Sequence, residues 1–435
     1  MSAVETYVEQ YAAARASLPG VDLPWLARLR EAAIARFADA GLPTRRLEAW
    51  KFTDLRSLER TAYVPAPPRE NGVGHDAIAE LLPAGLACHL LVFVDGRLRA
   101  GLSDIGALPA GARLLGLAEA LASDPETVEA ALGAEEQGEG DAPAALNTAL
   151  MRDGAVLVLD PGVALERPVH IVHLGTSETA PAANHLRNLV VAGAGSSVTL
   201  IETYAATNGA AYWTNAVADL RVGRDATVRH LKLQKESAEA VHVAATRVRL
   251  EPGSAYDGFA LTRGARLSRN GIFARLDGGG IDCRLGGVFV ARGRQHADTT
   301  TVIDHLKPGS HSREHYRGVL DDAAHGVFQG RIVVHPGAQQ TDAHQLNKNL
   351  LLSEAAQIDT KPELEIHADD VKCSHGATVG ELDAEALFYL RSRGLDAERA
   401  RHLLIEAFLG EAVAAVEQTA LRAHLWRDLA NWLPQ

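Results

Sequence analysis

Cysteine is scarce in this sequence. Cys88, Cys283 and Cys373 are the three among 435 residues, far apart and with no CxxC pair. A dispersed, odd set is not a disulfide framework and suits a reducing compartment. No apolar run reaches the ~18–20 residues that a membrane-spanning helix needs. The first stretch, MSAVETYVEQYAAARA, carries acids early and no long apolar core, so it does not read as a secretory signal. These absences predict a cytoplasmic protein without a membrane partner. Long basic runs are missing too, and the net charge is −12. Nucleic acid is therefore an unexpected partner, because phosphate binding needs clustered Lys and Arg. Not one Gly-Lys pair occurs. There is thus no glycine-rich phosphate loop, and no GxSxG elbow or paired CxxC knuckle. Gly278-Gly279-Gly280 reads as a flexible turn. The chain is not expected to bind a nucleotide by itself.

What remains is ordinary soluble-protein material, with hydrophobic content 47% and charged content 23%. The length suggests two or three structural units. Residues 1–60 look helical: Tyr7, Tyr11 and Ala14 share helical spacing, and Trp25–Ala38 is strongly amphipathic behind the start signal Asp22-Leu23-Pro24. Pro65-Ala66-Pro67-Pro68 reads as a linker. Residues 75–150 are mixed. His89–Val94 reads as a strand turning at Asp95-Gly96 into Leu98, Leu115–Ala122 and Thr127–Leu132 as helices, and Gln137-Gly138-Glu139-Gly140 as a loop.

From Ala155 to about Val379 the pattern is many short alternating or β-branched runs, among them AVLVLD, SVTLIETY, GVFVARG, VFQGRIVV and LLLSEAA, separated by Gly, Asp, Asn and Pro. No long amphipathic helix interrupts it, which excludes an alternating βαβ sheet. A sandwich, a double-stranded β-helix or a β-solenoid all fit, and the turn signals are too irregular to define a repeat. After Gly380 the helical period returns, with helices over 383–392, 396–417 and 418–432 and an apolar stripe at Leu403, Leu404, Ala407 and Phe408. The expected division is 1–150 helical and mixed, 151–379 β, and 380–435 helical.

Two constellations bear on chemistry. Nine of the 18 histidines fall between His296 and His375, a density that raises the prospect of a metal site. Within it, His311-Ser312-Arg313-Glu314-His315 matches an HxxEH metalloprotease pattern. Pro308-Gly309 before it and the strand-like Tyr316–Leu320 after it deny the helix that this pattern requires; on a strand the two imidazoles lie roughly 13 Å apart. The second constellation is Cys373 and His375, two residues apart in Asp369-Asp370-Val371-Lys372-Cys373-Ser374-His375-Gly376. The polar–apolar phase flips at Asp369-Asp370, as at a corner or bulge. Val371, Cys373 and His375 then share one face, with thiol and imidazole roughly 6–7 Å apart. Two soft donors so placed can reach one metal centre or cluster edge.

These residues also carry a family likeness. Asp359–Ile366, Ala368–Gly380 with its Asp-Val-Lys-Cys-Ser-His-Gly-Ala-Thr run, Asn349–Ser353, Phe388–Gly394 and the N-terminal Leu42–Thr53 closely resemble the SufB/SufD family of the SUF iron–sulfur cluster assembly system. The Cys-Ser-His run and the lack of an N-terminal cysteine cluster match the SufD branch better than the SufB branch. The resemblance implies a mainly β fold, a central right-handed parallel β-helix flanked by N- and C-terminal helical regions. It implies a SufB-like paralogue and a SufC-like ATPase as partners, the latter docking on the C-terminal helices, with Phe388, Tyr389, Leu403, Leu404 and Phe408 as the candidate docking residues. A homodimer of the chain when isolated is a further expectation. It implies a transient iron–sulfur cluster shared with the paralogue, with His375 the matching ligand and Cys373 an accessory. The chain would be a non-catalytic scaffold. The competing expectation is a stand-alone His-rich metal-binding β-barrel enzyme with several ligands from residues 296–344; a third is an interaction solenoid without metal chemistry.

Overall fold

The computed structural model describes residues 3–61, 63–66, 72–132, 140–176, 181–207, 209 and 211–433. From Ala155 onward the strands alternate between two sheets. One sheet takes Ala155–Leu159, Ala182–Ala192, Tyr212–Val222, Val241–Leu250, Leu267–Leu276, His296–His305, His325–Val334 and Gln357–Ile366. The other takes Val169–Gly175, Ser197–Ala206, Thr227–Lys235, Ala255–Arg263, Asp282–Ala291, His311–Leu320, Thr341–Leu351 and Val371–Gly380. Successive strands within each of these two series are parallel. A chain that crosses sheets after every strand and pairs in parallel two strands later can only coil. The result is a β-solenoid of roughly seven turns, which settles the choice the alternation left open. It is not a closed barrel, so the β-barrel alternative fails at the level of architecture.

The corners explain both the coil and the hidden repeat. Gly195, Asp225, Gly253, Gly280, Gly309 and Gln340 all have φ between 57° and 75°. They stack on one corner, 27 to 31 residues apart, and each donates its N–H to a corner carbonyl of the next turn at 2.6–3.1 Å. The conserved feature is a left-handed backbone conformation, which glycine adopts freely and aspartate tolerates. Because Gly, Asp and Gln all serve, the repeat is invisible as residue identity.

Inward-facing Val, Leu and Ile from both sheets form the largest apolar cluster, including Leu157, Leu200, Val228, Leu250, Leu276, Ile303 and Phe328. The outer faces are covered as well. Against the first sheet, the helices Ala3–Ala14, Pro24–Ala40 and Ala142–Leu150 pack Tyr7, Phe37 and Leu146 onto Trp213, Val241 and Val243. Ala142–Leu150, not anticipated from the sequence, is buried at every position. It carries no amphipathic stripe because it lies between the other helices and the sheet. Against the second sheet, Ile405, Leu409 and Leu425 cover Ile201, Leu233, Phe259 and Val288. Strands coated on both sides read as near-continuous apolar runs.

Local expectations hold at several points. The hairpin His89–Val94 to Arg97–Leu98 turns on Asp95 and Gly96, both with positive φ, and the amphipathic segment is the helix Pro24–Ala40, stopped by Gly41 at φ 67°. Three expectations need correction. Val64–Pro65 is a short strand pairing with Ala182–Ala183, and Ala66 is buried, so this part of the proposed linker is docked on the solenoid; Pro67 and Pro68 lie outside the described residues. The run Leu350–Ala356 leaves the sheet after Leu351 and turns over 353–355. The helix Ala397–Val413 buries Ala400, Ile405, Leu409, Ala412 and Val413, a face offset from the Leu403–Phe408 stripe. Of the loop at 137–140, only Gly140 lies inside the described residues, and its carbonyl accepts from Trp50 Nε1 at 3.1 Å.

The C-terminal helices are clasped to the solenoid by Arg317. Its guanidinium is buried, pairs with Glu411, donates to the Phe408 carbonyl at 2.5 Å and lies over the Phe408 ring, 4.7 Å from its centre. Arg317→Ala is expected to cost about 1–3 kcal/mol by denaturant unfolding. Amide exchange should rise first in Ala397–Val413; unchanged exchange there would show that the clasp lies elsewhere.

Candidate functional site

The last turn of the solenoid differs from all the others. Gln357–Ile366 and Val371–Gly380 end their respective sheets, and among the described residues no strand pairs with their outer edges. At the other end the sheets terminate in antiparallel strands, Arg97–Leu98 and Ala112–Gly116. The final turn therefore opens the solenoid interior to solvent. No residue of its two strands is fully buried, and Ile366 and Val379 are exposed.

The corner between these strands falls at Asp369-Asp370, where the phase flip was read. Its geometry is held by the Gln340 N–H donating to the Asp370 carbonyl at 2.6 Å and by the Asp370 N–H donating to Gln339 Oε1 at 2.8 Å. Val371, Cys373 and His375 then follow the inward face, in register with Thr341, Ala343 and Gln345 of the preceding turn. Cys373 is half-buried against Ala343, Ile332, Val334 and Ala338, together with Val371. His375 is exposed at the mouth. The pair is thus brought to one place, with Cys373 deeper and His375 nearer solvent. Lys372 and Ser374 face outward, where Ser374 meets His344 Nδ1 at 2.5 Å.

Burial pushes the Cys373 thiol above its ordinary range; a hydrogen bond from the Ala343 backbone opposes this and the Asp342 charge adds to it. A thiol so placed is protonated at neutral pH and must lose its proton to act as a soft ligand. The two donors also fall short of the four that iron–sulfur clusters usually take. Among the described residues no group of three or more His, Cys, Asp or Glu side chains is arranged to hold a metal ion.

The remaining histidines of the 296–375 stretch are dispersed by the coil. His305 is inside, meeting Ser312 at 2.9 Å, and burial lowers its pKa to about 4. His296 and His325 contact each other on the outer face, ring centres 4.8 Å apart, and His325 meets Asp359 at 2.7 Å. His311 and His344 flank Asp342, while His335 sits near Asp304. The HxxEH segment is a strand, with His311 outside and Glu314 inside, so its protease reading has no geometric basis.

The N-terminal motif proves to be a staple. Thr53 donates to the buried Asp298, which also pairs with Arg269. Arg269 stacks on Trp50, 3.9 Å from its ring, and donates to the Ala49 carbonyl at 2.7 Å. Lys361, on the last strand of that sheet, reaches Glu48 at 2.5 Å. The helical region is thereby tied to strands as far along as the final turn.

At the C-terminus, Asp383 caps the helix Ala384–Ser392 by accepting from the Glu385 and Ala386 N–H groups. This helix buries none of its residues, and Phe388 and Tyr389 are 74% and 56% exposed. Leu403 and Leu404 are half-buried. Phe408 is engaged under Arg317. The candidate docking residues thus divide into an exposed aromatic pair and a set already packed.

Alkylation should follow the burial of the thiols. Cys283 is enclosed and should label only on unfolding. Cys88, pushed up to about 11 by burial, and Cys373 should both reach half-maximal rate above the ordinary thiol value of 9.0. Peptide mass spectrometry across a pH series checks this; rapid labelling of Cys373 at neutral pH would contradict it.

The family described as "SUF system FeS cluster assembly, SufBD core domain" matches residues 173–408, and "SufBD protein N-terminal region" matches residues 1–171. An iron–sulfur cluster assembly SufBD family protein of Synechocystis is 34% identical over 421 residues, covering 94% of this chain and 92% of the relative. The iron–sulfur cluster assembly protein SufD of Escherichia coli is 32% identical over 402 residues, covering 91% and 90%. The SufD of Bacillus subtilis is 33% identical over 273 residues, covering 62% of each. The chain belongs to the SufB/SufD family of SUF-system iron–sulfur cluster assembly proteins.

Proposed function

We propose that this chain is a SufD-type scaffold subunit without catalytic activity of its own. In this reading it pairs with a SufB-type paralogue, and iron–sulfur clusters are built where the two solenoids meet. The observation that carries this reading is the open last turn. Two unpaired strand edges are a template for another β-chain, and His375 and Cys373 stand at the mouth they frame. His375 would serve as a ligand to the iron–sulfur cargo, Cys373 as an accessory, and the partner would supply the missing donors. The same edges would join two copies of this chain when no paralogue is present. We place the assembly in the cytoplasm; no helix of the described residues is long and apolar enough to cross a membrane.

The ATPase partner, of SufC type, would dock on the C-terminal helices and carry the nucleotide. Phe388 and Tyr389 fit this role best, being large, aromatic and unpacked. Leu403, Leu404 and Phe408 would support the surface from beneath. The three-part division at 150 and 379 would then separate an anchoring region, a scaffold and a docking region.

His375→Ala in a reconstituted three-protein complex should reduce cluster assembly at least tenfold while leaving complex formation intact. Full assembly in that variant would refute the ligand role. Deleting the tail is a poor test of docking, because the tail covers the apolar outer face of the solenoid. The double variant Phe388→Ala, Tyr389→Ala should instead weaken ATPase binding at least tenfold with an unchanged melting temperature; unchanged binding would remove this surface from consideration.

A further inference from the structure

Directly behind His375 the interior of the solenoid is polar. His375 is in register with Gln345, and Gln345 with Glu314. The three occupy one column on successive turns, about 4.8 Å apart. Glu314 and Gln345 are each only 3% exposed. Gln345 Nε2 donates to one Glu314 oxygen at 2.6 Å. With its nitrogen thus committed, the amide's oxygen, Gln345 Oε1, is left buried and without a partner. Space for this amide is provided from across the interior, where residue 330 is glycine; a Cβ there would lie 1.7 Å from Gln345 Nε2.

A buried amide oxygen without a donor costs about 1–3 kcal/mol. An imidazole that ligates a metal through one nitrogen needs an acceptor for the N–H on the other, which fixes its tautomer and orientation. The two needs complement each other, and the two residues are direct cross-strand partners. We propose that Gln345 Oε1 accepts the ring N–H of His375, and that Glu314 holds the Gln345 amide in the orientation that keeps this oxygen available.

Gln345 and Glu314 are positioning residues: they act through His375 and touch no cargo. An amide suits the middle of such a chain, because it accepts from the imidazole with one atom and donates to the carboxyl with the other. A carboxylate at 345 would set two acids against each other. Burial raises the Glu314 carboxyl to about 7, against the hydrogen bonds of Thr301 and Gln345. Tyr316 and Cys283 are its other polar neighbours inside. The bonded Glu314 oxygen can accept from Gln345 in either protonation state, so the chain does not depend on that titration.

The proposal rests on His375 as a cargo ligand, and its test separates the two claims. The isolated full-length chain is labelled with 15N-histidine, and the His375 ring signals are identified by their loss in His375→Ala. In the wild type, at a pH where the ring is neutral, one tautomer should dominate. Gln345→Leu and Glu314→Leu should each move the tautomer ratio about fivefold toward that of free histidine. Gln345→Met, matched in length but without the amide, should behave as Gln345→Leu does. A wild-type ratio equal to that of free histidine overturns the proposal without any variant being needed. An unchanged ratio in folded Gln345→Leu, even with a lowered melting temperature, also overturns it, because a packing role alone would give that result. If the ratio shifts as expected while His375→Ala assembles clusters fully, the positioning claim stands and the ligand reading falls.

Discussion

Every strand of the solenoid is held by the strand one turn before it and the strand one turn after it, and the final turn has no successor. Most features of the molecule can be traced to that constraint. The parallel ladders require a corner in every turn, which the left-handed residues from Gly195 to Gln340 supply. The stacking aligns inward-facing side chains into columns; Val, Leu and Ile columns form the largest apolar cluster, and buried polar side chains such as Glu202, His230, Lys232 and His242 fill others. Where the stacking stops, backbone groups and the interior are exposed together, and the Cys373–His375 face lies at that boundary.

The helical regions reinforce the coil rather than extend it. Both sheets carry apolar side chains on their outer faces, and these are covered by helices from one end of the chain for each sheet. The Leu42–Thr53 motif ties one covering across several strands, through Thr53, Trp50 and Glu48. Arg317 clasps the other covering. The coverings leave the last two strands with no fully buried residue. Ile366 and Val379 at the open end, and Phe388 and Tyr389 of Ala384–Ser392, are exposed.

Much of this was legible locally. Asp95-Gly96 specified a hairpin because both residues adopt positive φ readily. The phase flip at Asp369-Asp370 located the last corner, because inward and outward faces alternate with period two. The Cys-x-His spacing placed both side chains on one face for the same reason. The buried helix Ala142–Leu150 was not legible, since a segment apolar on every side has no period to detect. Nor was the turn repeat, which resides in backbone conformation. The column of Glu314, Gln345 and His375 could have been seen as a spacing of 31 and then 30 residues, but only with the turn length already known.

The sequence by itself determined the succession of helix, strands and helix, the absence of a nucleotide loop, and a family likeness centred on the Cys373–His375 segment. These follow from short-range periodicity and from motifs whose residues are neighbours in the chain. Only the tertiary structure decided which residues stand behind His375, which candidate docking residues are exposed, and that His305 lies inside while His296, His311, His325 and His344 lie outside. Each of those outcomes depends on pairing across turns about thirty residues apart, and such pairing is set by the coil and not by any local stretch of chain.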